Sequence, residues 1–70
     1  MKKTFEFPVY NKDVRAKVQD GRTHRQFEAS WADVHLIEIH AHTEEEAISS
    51  CCRKYPERLG FVLGEIMQVA

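Results

Sequence analysis

Seventy residues, 43% hydrophobic and 30% charged, hold one small folded domain and leave no room for a second core. Ten Lys and Arg against eleven Asp and Glu give a net charge of −1, which excludes a global attraction to nucleic acid or acidic membranes and leaves only local patches. No apolar run approaches the ~18 residues of a membrane span, and Met1-Lys2-Lys3 is not read as a leader, because Glu6 and Pro8 break the apolar stretch that should follow.

The first predicted element is a strand. From Thr4 to Val9, Phe5, Phe7 and Val9 alternate with Glu6 and Pro8, so one face is apolar. Pro8 has no N–H to give a ladder, which places this strand at an edge or ends it there. The stretch 11–21 fits two patterns. As a helix, Asn11 caps it, Val14 and Val18 share a face, and Gly21 stops it. As a strand, Val14, Ala16 and Val18 alternate with Arg15 and Lys17, and Asp20-Gly21 makes a hairpin turn. Helix is preferred, because the next stretch is almost wholly polar and makes a poor hairpin partner. Residues 22–33 read as a connection, long for a structureless loop in so small a domain.

Val34 to Ala41 is the clearest strand, with His35, Ile37, Ile39 and Ala41 on one face and Val34, Leu36, Glu38 and His40 on the other. Thr43 to about Tyr55 is the clearest helix. Thr43 with Glu46 forms a capping box, Glu44 to Glu46 suit the positive end of the dipole, and Arg53 and Lys54 suit the negative end. Ala47, Ile48, Cys51, Cys52 and Tyr55 make its apolar stripe, and Pro56 ends it. Phe61 to Val69 is a last strand, with Phe61, Leu63, Met67 and Val69 on one face and Val62 and Ile66 on the other. Apolar on both faces, it is expected in the interior of the sheet or under cover.

Four groups of residues bear on function. His40 and His42 share a strand face and could hold a metal, but spacing fixes no third ligand, so no metal or cofactor is implied. Cys51 and Cys52 lack the spacer of a zinc or redox motif and cannot bridge each other within a helix; they read as core thiols in a reducing, cytoplasmic setting. Trp31, Asp33 and His35 form a ligand cluster that would be catalytic only if Asp33 and His35 meet. Arg22 and Arg25, with Arg53, Lys54 and Arg58, are the candidates for tracking a phosphate backbone.

The run from Ile37 to Ala47, followed by Arg53-Lys54-Tyr55-Pro56, resembles many small uncharacterised bacterial domains. In those a strand ends in Ala, a Thr or Ser caps a helix opened by acidic residues, and a Tyr-Pro closes it. The resemblance covers about half the chain and implies a domain of unknown function, with no catalytic residues.

The fold expected is an α/β or α+β two-layer domain in the order β-α-β-α-β, a three-stranded sheet with two helices on one face. Its uncovered face would carry Leu36 with either the Phe61, Leu63 and Met67 row or the Val62 and Ile66 row. Exposed contiguous apolar surface on a small domain marks an association site. The leading functional expectation is therefore a non-enzymatic protein-interaction module that meets either a second copy or another protein through that face, with no membrane partner. The alternative is a nucleic-acid-binding accessory protein. An enzyme ranks third, because so short a chain rarely encloses a dry pocket.

Overall fold

Along β1 (Lys3–Asn11) every second residue from Phe5 through Phe7 and Val9 to Asn11 is buried, so this strand lies against the core over most of its length. The structure is a computed structural model and describes residues 1–69. After β1 come α1 (Lys12–Gln19), a 3-10 turn at Ala29–Ala32, β2 (His35–Ala41) and α2 (Glu44–Lys54). A second 3-10 turn at Glu57–Leu59 leads to the short strands β3 (Phe61–Leu63) and β4 (Met67–Gln68). The class is α+β: an antiparallel sheet with two helices.

β1 is the central strand, with β2 along one side and β3 and β4 along the other. β2 and β3 are each antiparallel to β1, so they run the same way with β1 inserted between them. This corrects two expectations: the first strand is not at an edge, and the last is not interior. The sheet tolerates Pro8 for a specific reason. Even-numbered residues of β1 turn their backbone groups toward β3 and β4, for the Thr4 carbonyl accepts from Val69 N–H at 2.9 Å and the Pro8 carbonyl from Gly64 N–H at 2.7 Å. The missing Pro8 N–H therefore points at the break between β3 and β4, outside both paired stretches.

That break is a bulge. Val9 lies opposite Leu63, but Glu6 lies opposite Met67, one residue out of step. Gly64 sits in it, and a Cβ there would stand 2.5 Å from Pro8 Cγ, so Pro8 and Gly64 require each other's shape.

The stretch 11–21 is a helix. The Asn11 side chain accepts from the Asp13 and Val14 N–H groups, both at 3.0 Å, and its amide donates to the Leu59 carbonyl at 3.0 Å. Gly21 ends the helix at φ +69, with Gly21 N–H on the Val18 carbonyl at 3.0 Å and Arg22 N–H on the Lys17 carbonyl at 2.7 Å, the Schellman pattern. Helix wins over hairpin because Asn11 supplies the first orphan donors with an acceptor and Gly21 takes the left-handed conformation. Val14 is buried while Val18 is largely exposed.

α2 begins at Thr43, whose Oγ1 accepts from Glu46 N–H at 3.1 Å. It lays Ala47 and Cys51 on Phe5, Phe7, Val9, Ile39, Ala41 and Phe61. Ile48 and Cys52, expected in that stripe, are exposed on one flank. The connection before β2 is ordered by side chains. His24 Nδ1 accepts from Gln26 and Phe27 N–H at 3.0 and 3.3 Å, and Phe27 meets Phe61 edge-on with centroids 5.0 Å apart. Among the described residues no helix is long and apolar enough to cross a membrane.

Candidate functional site

Strand parity sorts the side chains of the sheet. The odd positions of β1 and β2 face α2, and the even positions face away. The face turned away carries Thr4, Glu6, Pro8 and Tyr10 from β1, with Leu36, Glu38 and His40 opposite them on β2. Val62 stands across from Tyr10, and Met67 across from Glu6. Leu36 is 66% exposed and Met67 59%, large values for residues paired within a sheet.

The bulge corrects the expected apolar row. Phe61 and Leu63 pair with Asn11 and Val9 and so lie on the side that α2 covers; Phe61 is only 4% exposed and cannot meet a partner. The extra residue between Leu63 and Met67 turns Met67 to the open side, while Ile66 packs against the core. The open face thus joins Leu36 and Met67 to Pro8 and Val62 rather than to Phe61 and Leu63.

Next to this apolar strip is a polar corner that the sequence alone does not reveal. Thr4 Oγ1 lies 3.1 Å from His40 Nδ1, and His40 Nε2 lies 3.2 Å from a Glu38 carboxylate oxygen. Glu6 is directly opposite Glu38, and two like charges at cross-strand positions repel. The array has the order hydroxyl, imidazole, carboxylate, but it lies on an open sheet, with His40 and Glu38 side chains each 59% exposed. Water reaches the imidazole and the carboxylate, so the array lacks the water-excluded setting in which such interactions are strongest.

The Trp31, Asp33 and His35 cluster resolves into two residues and a bystander. Trp31 stacks on His35 with centroids 4.2 Å apart and planes 22° apart, and its edge meets Phe61 at 5.3 Å. His35 Nε2 donates to the Ser30 carbonyl at 2.9 Å, and the Asp33 backbone N–H donates to the same oxygen at 3.1 Å. Asp33 is exposed, and among the described residues the one acid–histidine ion pair joins Glu38 to His40, so the Asp33–His35 relay does not form. Trp31 and His35 close the end of the core.

Cys51 is buried, and burial, reinforced by the neighbouring Cys52, raises its thiol from 9.0 to about 11 against a smaller opposing pull from Lys54. That shift is opposite to the one a nucleophile needs. Cys52 is exposed and lines an open groove of about 300 Å³ with Lys12, Tyr55, Glu57 and the β3 residues Phe61 to Leu63. Arg22, Arg25, Arg53, Lys54 and Arg58 are all exposed; the first two lie before the Ala29–Ala32 turn, the others at the end of α2 and in the turn after it. His42 is exposed beside His40, and among the described residues no three His, Cys, Asp or Glu side chains are gathered to hold a metal.

Comparison with known proteins finds no matching family model, no matching curated protein and no matching solved structure.

Proposed function

We propose that this chain is a non-enzymatic protein-interaction module whose open sheet face receives a protein partner. The observation that carries the reading is the uncovered strip of that face, where Leu36 and Met67 stand exposed beside Pro8 and Val62, while α1 reaches the face at its Tyr10 end through Arg15, whose guanidinium lies 3.7 Å from the ring centroid. Its polar corner defines the partner. The Glu6–Glu38 pair gains most from a cation, so the complementary segment carries Lys or Arg between aliphatic residues. A second copy stacked face to face about that corner would set carboxylate against carboxylate.

Panning a displayed peptide library against the immobilised protein tests this. Selected sequences should place a basic residue among aliphatic ones. Full burial of Leu36 is worth about 2 kcal/mol, so Leu36→Glu should weaken such a peptide by roughly 20-fold or more. Met67→Lys should also weaken it, and Ile48→Glu on the helix side should not. Peptides that lose affinity only with Ile48→Glu, or that carry no cation, refute the reading.

A further inference from the structure

β2 borders the sheet, and its outer backbone groups are unpaired. The odd positions of β2 serve the ladder to β1, since the even positions of β1 serve β3 and β4. The N–H and C=O groups of Leu36, Glu38 and His40 therefore point outward, and none of them makes a backbone bond among the described residues. Seven residues is a long strand to leave open at an edge.

We propose that a second copy of this chain closes that edge, pairing β2 with β2 antiparallel about a two-fold axis at Ile39. The inference is separate from the open-face reading, because it uses the strand edge and not the face. Charge and the length of β2 select the register, since a centre at His40 would set Glu38 against His42, past the end of the strand at Ala41. An isologous antiparallel pair matches each residue to a fixed partner. Centred on Glu38, the edge sets that carboxylate against its own copy. Centred on Ile37, it sets Glu38 against Leu36. Centred on Ile39, it sets Glu38 against His40 of the second copy, twice by symmetry. Each repelling Glu6–Glu38 pair then has an imidazole on its other side, and across the seam acid and imidazole alternate.

The helix layer fits the same axis. α2 packs its Ala47 and Cys51 on side chains of both β2 and β1. With strands ~4.8 Å apart, an axis midway between β1 and β2 would set the two α2 helices roughly 10 Å apart, within the usual packing distance. The flank of α2 toward β3 is marked by Cys52 in the groove, so the small Ser50, on the opposite flank, faces the axis. No disulfide reinforces this small core, since both cysteines are free, and self-association is a common remedy for a core of this size. The doubled sheet would also widen the open face that the proposed partner meets.

The register is read by cross-linking. In the proposed pairing, residues 38 and 40 of the two copies form a hydrogen-bonded pair with Cα atoms about 5.5 Å apart, inside the range a disulfide spans. In a Cys52→Ser background, Glu38→Cys and His40→Cys chains are mixed and oxidised. A mixed dimer at about twice the 8.2 kDa chain mass is expected, with little dimer from either chain alone. A second variant, Glu38→Pro, removes an outward N–H that a monomer does not use. It should stay folded by circular dichroism and shift the dimer to monomer in sedimentation equilibrium. Wild-type protein that is monomeric at millimolar concentration overturns the proposal. So does a dimer that survives Glu38→Pro, or one that cross-links 38 to 38 instead of 38 to 40. In each of these cases the peptide selection on Leu36 and Met67 still reports on the open face independently.

Discussion

Replacing Asn11 with Ala removes the one buried polar side chain among the described residues and three hydrogen bonds at once. The lost N-cap costs about 1 kcal/mol. The burial of the Val14 N–H adds roughly 1 kcal/mol to that of an exposed cap, and the Leu59 carbonyl loses its donor at roughly 1 kcal/mol. The sum is about 3 kcal/mol, from a domain whose total at 70 residues is on the order of 4–10 kcal/mol. A urea titration should show a midpoint lowered in proportion with an unchanged slope, and a melting point lower by roughly 12–24 °C. Asn11→Asp separates the two roles. It keeps the acceptor for Asp13 and Val14 but turns a second oxygen toward the Leu59 carbonyl, and it should cost about 2 kcal/mol. If Asn11→Ala stays within 1 kcal/mol of wild type, then Asn11 does not tie the start of α1 to the turn before β3.

Other consequences can be checked as directly. Gly64→Ala should cost about 2 kcal/mol, and most of that should vanish in a Pro8→Ala background, because the Pro8 Cγ it strikes is gone; a double-mutant cycle with no coupling contradicts the fit. An alkylating reagent at neutral pH should label Cys52 and spare Cys51 in the folded protein, read by mass spectrometry of the peptides. Because the Cys51 thiol titrates at about 11 when folded and near 9.0 otherwise, its contribution is complete below pH 9 and should be lost as pH rises toward 11. That loss amounts to at most about 2–3 kcal/mol and should be absent in Cys51→Ala. Thr43→Ala should lower stability by about 1 kcal/mol through the start of α2. Mixed RNA and DNA should not be retarded in a gel by about 50 µM protein at physiological salt, within the range of non-specific affinities; retardation that Arg53→Glu and Arg58→Glu abolish would favour the nucleic-acid alternative instead.

Much of this architecture is local, and local features are readable in a sequence. The alternation of Phe5, Phe7 and Val9, the capping of α2 by Thr43, and the stop at Gly21 each depend on neighbours within a few positions. Asn11 and Gly21 also identify the helix at 11–21, though alternation at Val14, Ala16 and Val18 fits a strand equally well until the caps are seen to bond. Long-range pairing is another matter. That β1 is central, that Pro8 points into a break, and that Glu6 meets Glu38 all depend on register between segments some thirty or more residues apart.

The candidate face shows where the boundary lies. Leu36 could be placed on the open side from the parity of its own strand, with no knowledge of its partners. Met67 could not be grouped correctly, because one extra residue near Gly64 reverses parity along what reads as a single strand, and an unbroken reading puts Met67 in one row with Phe61 and Leu63, which face α2. Periodicity within a segment fixes which residues share a face only while the backbone repeat is unbroken. A bulge is decided by the fit of Gly64 against Pro8 across the sheet, and that contact exists only once the chain has folded.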